Sequence, residues 1–325
     1  MLTRRRFTAS MLGAAAAAPV GGRVWGQGYP GGQTIKIIVP FAAGGTTDIT
    51  GRLVADRLTQ MWGTSVIVEN VPGAQGNIGM DRVAKAPADG TNLLVCTPAL
   101  VTNQYLYAKL AFDPAKDLVP VSQVVAIPNL LVVRKDLPVA SVKELVDYAK
   151  ANPGKLNYAS PGVGSSVHLA AEIFKRATGT DMVHVAYRGS APALNDLVGG
   201  NVDLIFENIS SCINLVRQGQ IKGIAVTSEK RSTLAPEFPT VAETIAGFDV
   251  SSFFGICVRA GTPEPVIARI EQDVMALCRE AGVREKLAGI VAEAVGSSRA
   301  DFGQFVARER DRWGRLITDL KIRAE

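Results

Sequence analysis

The sequence has few of the residues on which metal and thiol chemistry usually depend. Its 325 residues include two histidines, His168 and His184, and four cysteines. No His-x-x-x-His, Cys-x-x-Cys or mixed cluster occurs, which excludes the common zinc patterns. We expect no metal and no cofactor, and four buried free thiols rather than disulfides. These cysteines are Cys96, Cys212, Cys257 and Cys278.

A nucleophilic serine is also poorly supported. Ser165 and Ser166 lie close to His168 in "GVGSSVH". A nucleophile elbow needs Gly-x-Ser-x-Gly, and His168 stands where the second glycine should be. On a helix, Ser165 and His168 share a face, which suits joint hydrogen bonding better than activation of a nucleophile. We therefore expect a protein that is not an enzyme.

Most of the excess of basic over acidic residues comes from the first residues. The chain has 35 Lys and Arg against 30 Asp and Glu, but residues 1–26 hold four of the arginines and no acid, which leaves 31 basic residues. No dense basic run follows, so we expect no nucleic-acid partner. "TRRRFT" before an Ala-rich apolar stretch is typical of a twin-arginine export signal. We expect cleavage near Val24–Gly26 and a periplasmic location; an uncleaved amphipathic arm is the alternative.

Beyond this signal, no apolar stretch reaches the length of a membrane-spanning helix. Residues 27–325 are numerous enough for two lobes. Strand and helix patterns alternate, which predicts an α/β protein with largely parallel sheets. Helices are indicated over 141–154, over 262–282 with Thr262 as cap and Gly282 after the end, and over about 298–320. The candidate strands are 34–40, 65–70, 92–97, 129–134, 155–160, 202–207, 221–227 and 253–259.

Two segments repeat one design about 120 residues apart: a strand, a loop of small residues, then a helix. They are "VPFAAGGTTDITGRLVADRL" and "NYASPGVGSSVHLAAEIFKRA". Glycines let the backbone approach a ligand, and the first-turn N–H groups of a helix favour an anion. Neither loop has the lysine of a phosphate-binding loop. We therefore expect a clamp for an anion smaller than a nucleotide.

At these residues the sequence closely resembles the solute-binding proteins of tripartite tricarboxylate transporters, the Bug receptor family. The resemblance covers essentially the whole chain after the signal. It is carried, in order, by "IKIIVPFAAGGTTDITGRLVADRL", "VIVENVPGAQGNIGMDRVAKAPADGTNLL", "LPVASVKELVDYAKANPGKLNYASPGVGSSVHLAAEIFKRATG", "MVHVAYRGSAPALNDLVGGNVDLIFEN" and "GIAVTSEKRSTLAPEFPTVAE".

The resemblance implies a two-lobed, type II-like Venus flytrap of α/β class, with two mixed sheets and a hinge of crossing strands near 127–131 and 250–254. Lobe 1 would comprise 27–128 and 253–325, and lobe 2 would comprise 129–252. Such a receptor captures a small carboxylate, an organic acid, an aromatic acid or an acidic amino acid, and delivers it to membrane permease subunits. We expect a monomer. A periplasmic sensor that presents the ligand to a signalling partner is the alternative.

In this family the ligand carboxylate is held by loop main-chain groups and ordered waters, so the resemblance places the site on the two loops. Asp48 could face the ligand, or it could serve only as a helix cap. Gln75 stands where the family usually has glycine, and Glu207 where it commonly has aspartate; at the cleft, Glu207 would repel a second carboxylate. The candidate ligand-binding residues are Phe41, Ala43, Gly44, Gly45, Thr46, Thr47, Asp48, Gln75, Thr97, Ser160, Gly164, Ser165, Ser166, His168, Arg188 and Asn208.

Overall fold

The computed structural model describes residues 28–324. The twin-arginine segment and the cleavage region at Val24–Gly26 lie outside the described residues. Within 28–324 the chain forms strands and helices in alternation. The strands are β1 (Ile35–Val39), β2 (Val66–Asn70), β3 (Asn92–Cys96), β4 (Leu118–Arg134), β5 (Asn157–Ser160), β6 (Val183–Ala186), β7 (Leu204–Asn208), β8 (Ile221–Val226), β9 (Ser251–Arg259) and β10 (Glu293–Ala294).

The α-helices cover both faces of these strands. They are α1 (Thr46–Trp62), α2 (Asn77–Ala84), α3 (Ala99–Leu106), α4 (Val142–Ala151), α5 (Ser166–Thr178), α6 (Ser190–Val198), α7 (Ile209–Arg217), α8 (Glu264–Arg279), α9 (Ala281–Gly289) and α10 (Arg299–Leu320). Two short 3₁₀ turns, Ala74–Gly76 and Val241–Glu243, complete the described elements.

The strands follow the order β2-β1-β3-β9-β4-β7-β5-β6, and β8 and β10 pair with β4 outside this path. Pairs β1–β2, β1–β3, β5–β6 and β5–β7 are parallel, whereas every pair that involves β4 or β9 is antiparallel. Each end of the path is therefore a parallel βαβ arrangement, and the antiparallel strands β9 and β4 join the two. The α/β class, the mixed sheets and the two-lobed type of fold are as expected.

Strand β4 changes partner along its length. Residues 118–128 pair with β9, and residues 129–134 pair with β7 and β8. At the change, Thr227 ties three segments together. Its Oγ1 accepts from the Asn129 amide (3.0 Å) and lies within hydrogen-bonding distance of the carbonyls of Asn129 (3.1 Å) and Val250 (2.6 Å). This crossing coincides with the predicted hinge; the lobe boundaries themselves stay a prediction.

The hydrophobic core lies on both faces of the strands. Leu130 and Val132 of β4 pack into one cluster, and the alternating Leu131 and Val133 pack into the other. A strand covered on both faces is apolar at nearly every position, which explains the unbroken runs in the sequence. All four cysteines are buried and free, as expected.

Two details of α8 differ from the helix predicted over 262–282. Its N-cap is Pro263, because the Thr262 hydroxyl donates to the Arg259 carbonyl (2.8 Å) instead of to the helix. The helix ends at Arg279, and Gly282 lies inside α9. The other two predicted helices begin after the N-cap serines Ser141 and Ser298, whose hydroxyls accept from first-turn amides. Within the described residues, no helix combines the length and the apolar character that a membrane crossing requires.

Candidate functional site

A cavity lies where the β1–α1 loop faces the loops of β5–α5 and β6–α6. It holds about 450 Å³ of space, including its open mouth. Its walls combine hydroxyl and amide side chains with apolar ones, and none of the lining side chains is charged. The lining residues are Phe41, Ala42, Gly45, Thr46, Thr47, Gln75, Thr97, Pro98, Ala99, Pro161, Ser165, Ser166, Ser190, Asn208 and Phe254.

The N-terminus of α1 forms one wall. Gly45 is its N-cap and offers no side-chain acceptor, so the first-turn amides need hydrogen-bond partners outside the helix. The Thr46 amide donates to Ser211 Oγ of α7 (3.0 Å), and Thr46 Oγ1 bonds to Ser210 Oγ (2.6 Å). A Cβ at Gly45 would lie 3.4 Å from Ser190 Cβ of α6. The two sides of the cavity therefore touch at this end.

Asp48 is buried in the first turn of α1 but is absent from the cavity wall. Its Oδ2 accepts from the Gly44 amide (3.0 Å) and Arg52 Nε (2.9 Å), and its Oδ1 accepts from Asn70 Nδ2 (3.0 Å). Burial alone would raise the pKa of Asp48, but these hydrogen bonds outweigh it and hold the pKa below its ordinary value. The carboxylate is thus occupied in fixing the loop.

The N-terminus of α5 forms the facing wall. Ser165 caps the helix by accepting from the His168 amide (3.2 Å), and its hydroxyl donates to the Gly162 carbonyl (2.8 Å). Ser166 bonds to Ser252 of β9 (2.5 Å between hydroxyl oxygens). The first-turn amides of Thr47 and Ser166 have no carbonyl partner within their own helices, and both residues line the cavity. The cavity thus lies between two helix N-termini that favour negative charge.

The two histidines lie behind this wall. Their rings stack at 4.1 Å between centroids, and His184 also stacks on Tyr158. His168 Nδ1 accepts from the Gly164 amide (3.0 Å), and His184 Nε2 pairs with Ser160 Oγ (2.7 Å). Burial lowers the pKa of His168 to about 3 and that of His184 to about 4. Both rings are therefore neutral at pH 7 and support the Ser160–Gly164 turn without adding charge.

Gln75 has a left-handed backbone, with φ 52 and ψ 41, and so does Ala74 with φ 45. Glycine adopts this region without steric cost, which explains why the resembling family usually has glycine at this position. Asn103 of α3 stabilises the turn by donating to the Gln75 carbonyl (3.0 Å). The Gln75 side chain is 7% exposed, lines the cavity, and its Oε1 has no partner.

Arg188 lines a smaller adjoining space of about 280 Å³, together with Tyr187 and the Gly73–Gly76 turn. Phe41, Gln75 and Pro161 separate this space from the main cavity and line both. The Arg188 side chain is exposed and does not reach the main cavity wall.

The structure brings most of the predicted site residues to one cavity. Seven of them do not line it: Ala43, Gly44, Asp48, Ser160, Gly164, His168 and Arg188. Sequence reasoning missed several lining residues because small or apolar side chains carry no chemical signature. Two of them lie within the two loops and four lie outside: Ala42 and Pro161, and Pro98, Ala99, Ser190 and Phe254. Ser190 had a signal, since it lies two residues after the candidate Arg188.

Within the described residues, no group of three His, Cys, Asp or Glu side chains could hold a metal ion. The Ser–His pair that does form joins Ser160 to His184, and Ser160 is fully buried.

Residues 50–322 match the family model of the tripartite tricarboxylate transporter family receptor. An R. palustris protein solved with adipate is 38% identical and superposes with a TM-score of 0.87, covering 89% of this chain and 98% of that one. The periplasmic binding protein BugD is 31% identical, with a TM-score of 0.86 and coverages of 90% and 99%. MatC from Rhodopseudomonas palustris, with bound malate, is 31% identical, with a TM-score of 0.83 and coverages of 87% and 98%.

Proposed function

Because the chain belongs to the tripartite tricarboxylate transporter receptor family, we propose that it is a periplasmic solute-binding protein that captures a small carboxylate and delivers it to the permease subunits of such a transporter. The observation that carries this proposal is a cavity between two helix N-termini with no charged side chain on its wall. Two relatives of the same fold were solved with the carboxylates adipate and malate.

A neutral wall suits a receptor that must release its ligand. Backbone amides and hydroxyl groups stabilise a carboxylate without a buried cation, so binding stays reversible. The hydroxyl groups of Thr46, Thr47 and Thr97 and the first-turn amides of α1 and α5 are the donors we assign to the carboxylate. Phe41, Pro98, Ala99 and Phe254 would contact the apolar part of the ligand.

Closure around the β4–β9 crossing would complete the site. We assign lobe 1 to 27–128 with 253–325, and lobe 2 to 129–252. Contacts such as Thr46 to Ser211 join the two and form only when the lobes approach. A ligand that contacts both walls shifts the population toward this closed state. We further propose that the receptor acts as a monomer, reaches the periplasm through its twin-arginine signal and releases its ligand chemically unchanged.

A thermal-shift screen tests the proposal. Purified protein is heated with adipate, malate, citrate, glutamate and benzoate, each at millimolar concentration. A ligand present at about 100 times its Kd stabilises the folded state by about 2.7 kcal/mol, which raises Tm measurably. Folded protein that shows no shift with any acid of the panel would contradict carboxylate capture.

The Gly45→Val variant tests whether the ligand binds in this cavity. The added side chain meets Ser190 across the cavity mouth, so closure and the thermal shift should be lost while the ligand-free Tm stays near wild type. Gly303→Val on α10 is the matched control, since no atom lies within 4 Å of a Cβ placed there. A normal shift in Gly45→Val would place the ligand elsewhere.

A further inference from the structure

Glu207 is a fully buried carboxyl group directly behind the cavity. It lies near the end of β7, where Leu130 of β4 is its neighbour in register. Its side chain faces α6 and α7, the same side of the sheet as Ile205, whereas Phe206 and the two histidines lie on the other side. Two of its contacts, Ser190 and Asn208, are residues of the cavity wall.

The carboxyl group of Glu207 is only half satisfied. Its Oε1 accepts from the Ser190 hydroxyl (2.8 Å) and from the Asn208 amide (2.9 Å), while its Oε2 is buried without a partner. Among residues 28–324, no Lys, Arg or His lies within ion-pair distance of it. The titratable group that faces it is the Cys212 thiol of α7, whose pKa burial raises.

Ser190 links this carboxyl group to the cavity. A serine hydroxyl has one proton to donate. When Glu207 is ionised, it accepts a hydrogen bond from the Ser190 O–H, and Ser190 can offer the cavity only a lone pair. When Glu207 is protonated, its own O–H can donate to Ser190 Oγ. The serine O–H is then free to point into the cavity and donate there. The protonation state of Glu207 therefore decides whether this wall accepts or donates a hydrogen bond.

Building on the proposed function, we propose that a ligand carboxylate bound against Ser190 is accompanied by one proton taken up from solvent by Glu207. With Glu207 ionised, the same position suits a hydroxyl or ammonium group of the ligand instead. Glu207 is thus the residue that selects the charge of the ligand group at this end of the cavity.

Burial supports this assignment, because it raises the pKa of Glu207 to about 7, where both states are populated. A second negative charge in the uncharged cavity would shift the equilibrium further toward the protonated form. The affinity for a carboxylate should therefore fall as pH rises above 7, by up to about tenfold per pH unit.

Isothermal titration calorimetry measures the linked proton directly. Adipate, malate, citrate, glutamate and benzoate are titrated into the full chain at pH 6, 7 and 8.5, in buffers of differing ionisation enthalpy. Wild type should take up close to one proton per bound ligand molecule at pH 8.5 and less at pH 6. Glu207→Gln, which keeps the size and a neutral polar group, should take up none and bind with nearly constant affinity across this range. Glu172→Gln, on the opposite face of the sheet, should behave as wild type.

Ser190→Ala tests the link through the hydroxyl. It should weaken binding at pH 6, where the serine can donate, more than at pH 8.5, and an equal loss at both pH values would contradict the link. Wild-type binding without proton uptake, or the same pH dependence in Glu207→Gln, overturns the inference about Glu207 alone. If no acid of the panel binds either protein at pH 6, the proposed function itself fails and the inference fails with it.

Discussion

Two buried carboxyl groups near the cavity respond to their surroundings in opposite ways. Asp48 has Arg52, the Gly44 amide and Asn70 as donors, which hold its pKa down despite burial. Glu207 has two neutral donors for one oxygen and none for the other, and burial raises its pKa to about 7. Asp48 therefore stays ionised and fixes the loop, whereas Glu207 can change its charge at neutral pH.

Glu207 should limit stability at alkaline pH. Its folded pKa lies above the ordinary value of 4.5, so its favourable contribution is complete below pH 4.5 and is lost as pH rises through 7. Glu207→Gln should therefore raise the free energy of unfolding at pH 8.5 by up to about 3 kcal/mol, with a Tm several degrees higher.

Calorimetric scans of both proteins at pH 5 and pH 8.5 check this prediction. At pH 5 the wild-type carboxyl is protonated, and the two Tm values should nearly coincide. A Glu207→Gln protein that is less stable than wild type at pH 8.5 would show that an unseen partner stabilises the ionised carboxylate.

At the scale of elements, the sequence predicted what local patterns encode. The apolar runs of β1 and β3 and the helix patterns of α4 and α10 were identified because these signals lie within a few residues of each other. The first half of β4 was not identified, since Pro120 and Pro128 argue against a strand. Its pairing with β9 contains register shifts near Pro120, which a prediction from local sequence does not capture.

Some features of the candidate site also have a local sequence signal, and others have none. The two glycine loops were recognisable because backbone approach and helix N-termini need a particular local sequence. Phe254 reaches the cavity only through tertiary packing, so its position carries no local signal. The left-handed turn at Gln75 was also hidden, since a residue other than glycine occupies it and the supporting Asn103 lies on a distant helix.

The crossing of β4 depends on Thr227. It is fully buried, and its hydroxyl connects the Asn129 amide with the carbonyls of Asn129 and Val250. Thr227→Val keeps the shape but removes the hydroxyl partner of the Asn129 amide and of the Val250 carbonyl, so the free energy of unfolding should fall by roughly 2–3 kcal/mol. Urea unfolding followed by circular dichroism measures the change.

Thr233→Val is the control for this substitution, because Thr233 is exposed. It should change the free energy of unfolding by less than about 0.5 kcal/mol. If Thr227→Val proved as stable as this control, the hydroxyl would contribute nothing to the crossing.

At the scale of the whole molecule, closure and binding are two parts of one equilibrium. Ser211 of α7 accepts from the Thr46 amide across the cleft but does not line the cavity. It can therefore influence affinity only indirectly, through the closed state or through Thr46, whose hydroxyl it also contacts (2.8 Å). The apparent Kd equals the intrinsic Kd divided by the fraction of molecules able to close.

Ser211→Ala removes the hydrogen bonds to the Thr46 amide and to the Thr46 hydroxyl. It should weaken binding of a carboxylate found in the screen by at least about fivefold, since each hydrogen bond contributes about 1 kcal/mol. The substitution lowers the fraction of closed molecules. At a fixed, partly saturating ligand concentration, small-angle scattering should therefore give a larger radius of gyration for Ser211→Ala than for wild type. At full saturation the two proteins should become alike. Ser228→Ala, whose hydroxyl bonds only within its own loop to the Lys230 carbonyl, should match wild type in both measurements. A weaker affinity with unchanged scattering would instead mean that Ser211 acts on the ligand and not on closure.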